Sequence, residues 1–269
     1  MLFLVGFTNY IGYDETNFLL KGLDMKYKGI SKLALLTCML ALTSVTLAQN
    51  TQPHTGVMTA SIQSEMTPQQ ALQRLKDGNQ RFVESKMKNR DLLTQASATA
   101  SSQHPIAVVL SCLDSRTSPE IIFDQGIGDI FVARIAGNIQ NDDILGSMEF
   151  GTKLMGAKLI AVVGHTSCGA MRGSCEKAQL GHLTGVLQKI YPAVQQAAKE
   201  SKTKDCTNAT YIDQIAKDNV LLVMKQIRMR SPVLDNLIKE GKIGIIGGMQ
   251  DVSTGVVTFF DDQSIMPKS

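Results

Sequence analysis

Two apolar runs, roughly fifty residues apart, each break off into a group of metal-donor side chains. Ile106 to Leu110 leads into Ser111-Cys112-Leu113-Asp114-Ser115-Arg116, and Leu159 to Val163 leads into Gly164-His165-Thr166-Ser167-Cys168-Gly169. Such short continuous apolar runs read as strands buried on both faces. The chain must therefore place its reactive residues where strands stop. Further runs at Ile130 to Ile135 and Ile243 to Ile246, with a short one at Val256 to Phe260, alternate with helical patterns. Strands separated by helices imply right-handed parallel crossovers, hence an α/β fold with a mostly parallel central sheet flanked by helices. Open sheets of that kind bind ligands beyond the carboxyl ends of their strands.

Two cysteines, a histidine and an aspartate at neighbouring strand ends form a zinc ligand set, since Zn2+ favours thiolate, imidazole and carboxylate donors in tetrahedral array. In Cys112-x-Asp114 the strand period of two sends both side chains out on one side. His165-x-x-Cys168 needs a turn, and Gly164 and Gly169 are expected to let the backbone make it. Either half alone has an ordinary explanation, a cysteine as a small buried hydrophobe or a histidine hydrogen-bonded in the core. Taken together they point to one metal ion held by Cys112, His165 and Cys168, with Asp114 able to join as a fourth ligand.

The Cys-x-Asp-x-Arg element, the Gly-His-x-x-Cys-Gly element and their order resemble the β-class carbonic anhydrases. Phe131 to Asn138 and Asp251-Val252-Ser253-Thr254-Gly255 extend the resemblance, which covers roughly Thr67 to Phe260. It implies one zinc per chain, reversible hydration of CO2 to bicarbonate by a zinc-bound hydroxide, and an N-terminal helical arm lying across a neighbouring subunit. A homodimer or dimer of dimers is implied as well, with pocket residues contributed across the interface. Asp114 and Arg116 become the catalytic pair, the arginine keeping the carboxylate off the metal through a bidentate contact. If that contact breaks, Asp114 would occupy the water's position, so low pH is expected to favour a closed, inactive form. Gln103 and Phe131 match substrate-facing positions, and Gly169 is placed with them. Val109 and Phe150 stand where some members carry the Trp and Tyr of a regulatory bicarbonate site, although Arg134 remains.

With 43% hydrophobic and 19% charged residues and a formal net charge of +3, the chain has no basic run to suggest nucleic acid as a partner. Its first part looks like an address. From Met25, three lysines precede an apolar stretch, Leu33 to Leu42, and then small residues to Ala48. That is the pattern of a signal peptide, too short for a comfortable membrane span of about 20 apolar residues. The expected divisions are a doubtful upstream extension at 1–24, a signal peptide at 25–48, a flexible leader at 49–66 and one catalytic domain at 67–269. Export to the periplasm follows, with no stable membrane insertion after processing. Thr67-Pro68-Gln69-Gln70 supplies a capping box and a first-turn proline for a helix carrying Ala71, Leu72, Leu75, Phe82 and Val83.

Cys175 and Cys206 are left once Cys38 departs with the signal and the metal takes two cysteines. In an oxidising compartment they either bond to each other, closing a loop over Leu183 to Lys199, or stay as separate thiols. Other functions fit parts of the pattern: a hydrolase of a sulfur analogue of CO2 on the same scaffold, a zinc-stabilised binding module with a closed four-ligand site, or a metal-free hydrolase with Cys168 as nucleophile and His165 as base.

Overall fold

The computed structural model describes residues 54–267. The extension and signal segment expected at 1–24 and 25–48 lie outside the described residues. Five strands form one sheet in the order β2-β1-β3-β4-β5. They are Ala107–Ser111 (β1), Ile130–Arg134 (β2), Leu159–His165 (β3), Gly244–Gln250 (β4) and Val257–Phe259 (β5). The first four are parallel, and β5 returns antiparallel to β4. Every expected strand is present. β3 and β4 run beyond their apolar side chains because the ladder continues through Gly164 opposite Met249 and His165 opposite Gln250.

The described helices are Ala60–Glu65 (α1), Pro68–Val83 (α2), Leu92–Ala98 (α3), Pro119–Ile122 (α4), Asp142–Glu149 (α5), Gly169–Cys175 (α6), Leu183–Glu200 (α7), Ala209–Arg230 (α8) and Pro232–Lys239 (α9). α5 runs on into a π-helical turn, Phe150–Leu154. The strand period of two divides the apolar runs between two cores. Val108, Leu110, Ile160, Val162 and Ile245 meet α5, α8 and α9 on one face. Ala107, Val109, Leu159, Ala161, Val163 and Ile246 meet α2 and α4 on the other. Both faces are covered, which is why these strands read as unbroken apolar runs rather than as alternation.

α2 begins as the sequence reads: Thr67 caps it, Gln70 completes the capping box, and Ala71, Leu72 and Leu75 are buried. α8 lies so close to the sheet that side chains would collide. A Cβ at Gly164 would fall 2.8 Å from both Met249 Sδ and Val220 Cγ2, and one at Gly247 would fall 2.7 Å from Met224 Sδ and Val220 Cγ1. These glycines are space, made for one helix.

The leader expected over residues 49–66 needs correcting in its described part. Thr59 caps α1, Met58 is buried, and the Gln63 amide donates to the carbonyls of Pro105 at 2.7 Å and Met155 at 2.8 Å. A six-residue helix fastened by one methionine and one amide is too short to leave a periodic apolar signature. Cys175 and Cys206 are bonded to each other across 31 residues, the first of the two alternatives, and the loop so closed carries α7. Among the described residues no helix is long and apolar enough to cross a membrane.

Candidate metal centre

In this strand order the chain leaves β1 for β2 on one side and returns to β3 on the other, so the crevice opens between the carboxyl ends of β1 and β3. Cys112 follows β1 directly and His165 is the last residue of β3. A turn brings Cys168 round to cap α6. The ligand atoms of Cys112, His165 and Cys168 lie within 4.8 Å of one another, and all three residues are buried.

The turn differs from its expected form. Neither Gly164 nor Gly169 has left-handed backbone; Ser167 does, with φ 55°. Its amide donates to Asp213 Oδ1 on α8 at 2.8 Å, which offsets the cost of that conformation for a residue with a Cβ. Gly164 instead serves the close approach of α8 described above, and Gly169 is exposed with open space around it.

The three donors fit a metal ion. The Thr166 carbonyl engages His165 Nδ1 at 2.9 Å, so Nδ1 carries the proton and the Nε2 lone pair faces the cysteines. That Nε2 is buried with no hydrogen-bond partner among the protein's own atoms, a costly arrangement unless something accepts the lone pair. A hydrogen bond from Cys168, with His165 close beside, pulls the Cys112 thiol down to about 4 against the opposing effect of burial. Cys168 is pushed up by the same neighbour and by its own burial. Two thiols this close cannot both ionise without a cation between them, and a dication would balance both. Burial pushes the His165 imidazole down, but the adjoining Cys112 sulfur outweighs that and leaves it raised.

Asp114 stands beside the group rather than in it, its Oδ2 3.9 Å from His165 Nε2. Arg116 holds it there. Asp114 Oδ1 accepts the Arg116 backbone amide at 3.0 Å and Nε at 2.9 Å, while Oδ2 accepts Nη2 at 2.8 Å. The hydrogen bond from the Arg116 side chain keeps this carboxyl well below the usual carboxylate range, with burial opposing. Leu113 to Arg116 forms a turn, not a strand extension, and the turn is what lets one carboxylate meet both the backbone and the side chain two residues on.

Several supporting residues were given no part in the metal site by the sequence, although Arg134 was marked for a regulatory one. Arg134, at the end of β2, donates Nε to the Cys112 carbonyl at 3.1 Å and Nη2 to that of Leu113 at 3.2 Å, and also reaches the Asp114 carbonyl. The Gly137 amide donates to Cys112 Sγ at 3.3 Å. Gln250 Nε2 donates to the Arg116 carbonyl at 3.3 Å, and Thr166 Oγ1 accepts the Val252 amide at 3.1 Å. The Arg134 to Gly137 stretch was visible as part of a motif; Asp213 and Gln250 left no local signal, because only the fold brings them near.

Gln103 is not brought to this chain's own donors. It is exposed and lines a surface recess with Ile127, Gly128 and Met155. It precedes β1, and the five residues of that strand separate its end from Cys112 by roughly 15 Å. His104 shares that end. Phe131 lies half-buried on β2, its ring centroid 6.1 Å from that of Phe150.

Fold and site together define an α/β protein with a Cys-His-Cys metal group at a sheet switch point and an arginine-held carboxylate beside it. A family model described as carbonic anhydrase matches residues 107–257. Carbonic anhydrase 2 of Mycobacterium tuberculosis strain H37Rv is 31% identical over 194 residues, covering 70% of this chain and 90% of that relative. Carbonic anhydrase of Mycolicibacterium smegmatis is 32% identical over 202 residues, 71% of this chain and 92% of its own. Among solved structures, the beta-carbonic anhydrase CcaA is similar at 26% identity with a TM-score of 0.56, over 73% of this chain and 99% of that one. A tetrameric beta-carbonic anhydrase from Sordaria macrospora shares the fold at 24% identity and a TM-score of 0.57, over 61% of this chain and 85% of that one. The chain belongs to the carbonic anhydrase family, in its β class.

Proposed function

We propose that this protein hydrates CO2 reversibly to bicarbonate and a proton, as a carbonate dehydratase dependent on zinc held by Cys112, His165 and Cys168. The convergence of those three buried donors, with the Nε2 lone pair unmatched, is the observation that carries the reading. Bound zinc supplies a Lewis acid able to make water nucleophilic near neutral pH. The protein's own residues do the rest. Thr166 fixes the His165 tautomer, and the Gly137 amide stabilises charge on Cys112 Sγ. Asp114, ionised and held by Arg116, offers an acceptor that orients the attacking water beside the donors. Because two thiolates already balance a divalent charge, this outer hydrogen bonding matters more than it would around neutral imidazoles.

Gln103 and Phe131 would then act across an interface. β2 is an edge strand, half-buried at all five residues; Phe150, packed against Phe131, is 47% exposed, and Leu154 on the same π-helical turn is 74% exposed. A homodimer, or a dimer of dimers, covers such an edge. The signal pattern ending near Ala48 and the Cys175–Cys206 bond support export to the periplasm. Mass spectrometry of the protein from cell fractions tests it, by finding a chain that begins after Ala48 or an uncut one in the cytoplasm.

The function is tested by stopped-flow CO2 hydration on protein beginning after Ala48, with zinc measured in the same sample. One zinc per chain and a rate abolished by chelation are expected. Metal-loaded protein with no hydration activity would overturn the reading, and parallel assays with carbonyl sulfide and carbon disulfide separate CO2 from its sulfur analogues.

A further inference from the structure

We propose that the Cys175–Cys206 disulfide positions the metal ligand Cys168, so that its reduction loosens one donor and speeds loss of the metal. The inference rests on the zinc reading above.

The three donors are supported unequally. His165 ends β3 and Cys112 comes directly after β1, two strands paired to neighbours along their length. Cys168 depends on α6, for which it is the N-terminal cap without a side-chain capping bond. α6 has seven residues and two of them, Gly169 and Gly173, are glycine. A helix so short and glycine-rich does not hold its shape alone, so the direction of Cys168 depends on what grips α6 from outside.

Those grips come from α7 and α8. Before the helix, the left-handed Ser167 gives its amide to Asp213 on α8. Along it, Met171 and Ser174 are buried, and Ser174 Oγ donates to the Leu187 carbonyl on α7 at 2.8 Å. At its far end, Cys175 is its last residue and is bonded to Cys206, two residues before the Asn208 cap of α8. Both ends of α6 are therefore tied to the beginning of α8, one by a hydrogen bond and one covalently. With the covalent tie gone, one amide to carboxylate contact, one hydroxyl bond and the packing of Met171 against α7 and α8 are left to hold the ligand-bearing helix in register. Cys175 and Cys206 are only half-buried, within reach of a small reductant. A phosphine breaks the S–S bond by supplying two electrons. Both sulfurs take up the protons of one water molecule, and the phosphine leaves as its oxide.

The test compares zinc-loaded wild-type protein, the same protein reduced by a phosphine under native conditions, and the Cys175→Ala/Cys206→Ala variant. Zinc release to excess chromogenic chelator and backbone amide hydrogen exchange are followed on each. Reduced protein and variant are expected to release zinc about ten- to a hundredfold faster, with faster exchange across α6 and unchanged exchange in β1 and β3. Adding phosphine to the variant should change nothing, which excludes competition by the reductant for the metal. Equal release from oxidised and reduced wild type overturns the proposal while leaving the zinc assignment intact. So does acceleration in which β1 and β3 amides speed up as much as those of α6, since that is general destabilisation. Oxidised protein that takes up no zinc removes both. Should the variant fail to fold, the two wild-type states decide the matter.

Discussion

Asp114 and Asp218 sit in opposite electrostatic surroundings, and pH acts on them with opposite sign. Asp114 is depressed by Arg116, so its stabilising pair is present above the unfolded value of about 3.9 and is lost as pH falls through the lower folded value. It stays ionised through the range in which the enzyme would work. Asp114→Asn keeps the shape but weakens the acceptor and the hold of Arg116. It is expected to retain zinc and lower the CO2 hydration rate by about a hundredfold; an unchanged rate would remove Asp114 from the mechanism. Asp218, buried on α8, has Oδ1 bonded to Gln214 at 2.9 Å and no partner for Oδ2. Burial pushes its pKa up to about 6, against the hydrogen bond from Gln214. The folded state then binds a proton that the unfolded chain releases earlier, so stability falls as pH rises from about 4 to about 6 and stays lower above that. Asp218→Asn should accordingly gain about 2 kcal/mol relative to wild type at pH 8 over the difference at pH 4.5. Urea titrations at the two pH values check this, and a difference that does not change with pH would show that Asp218 is not the titrating group.

At the level of elements, the site depends on how closely α8 approaches the sheet. Val220 reaches into the space left at both Gly164 and Gly247. Gly164→Ala, directly before the ligand His165, forces a methyl against Met249 and Val220. A loss of about 1 to 3 kcal/mol is expected, as for overpacked cores generally, together with weaker zinc retention because β3 carries the histidine. Chemical denaturation and metal titration read the two effects separately. An unaffected variant would show that α8 can retreat without disturbing the strand.

For the molecule as a whole, the exposed apolar edge beside β2 sets the expected assembly. Phe150 and Leu154 lie on the π-helical turn after α5, and Phe131 lies against Phe150. Placing charge there through Phe150→Glu with Leu154→Glu should drive the protein to a monomer in light scattering. Activity per zinc should fall too under the proposal that Gln103, remote from its own donors, acts in a neighbouring subunit. A variant that keeps its mass would place the interface elsewhere.

The residues alone determined the strands, the α2 capping box, the metal donors and the pairing of Asp114 with Arg116. Each of these is written in short-range pattern: an unbroken apolar run, a cap three residues from its partner, donors at strand ends. The sequence also narrowed Cys175 and Cys206 to two possibilities, and the fold chose between them by placing their Cα atoms 5.7 Å apart. Tertiary structure alone decided that Ser167, not a glycine, makes the left-handed turn, because Asp213 arrives from α8 to hold it. It likewise placed Arg134 on the carbonyls after Cys112, docked α1 through Gln63, and set Gln103 at the far end of β1. These contacts join residues from about twenty to nearly a hundred positions apart, and no local pattern carries a signal across such distances, since only the closing of the sheet brings the partners together.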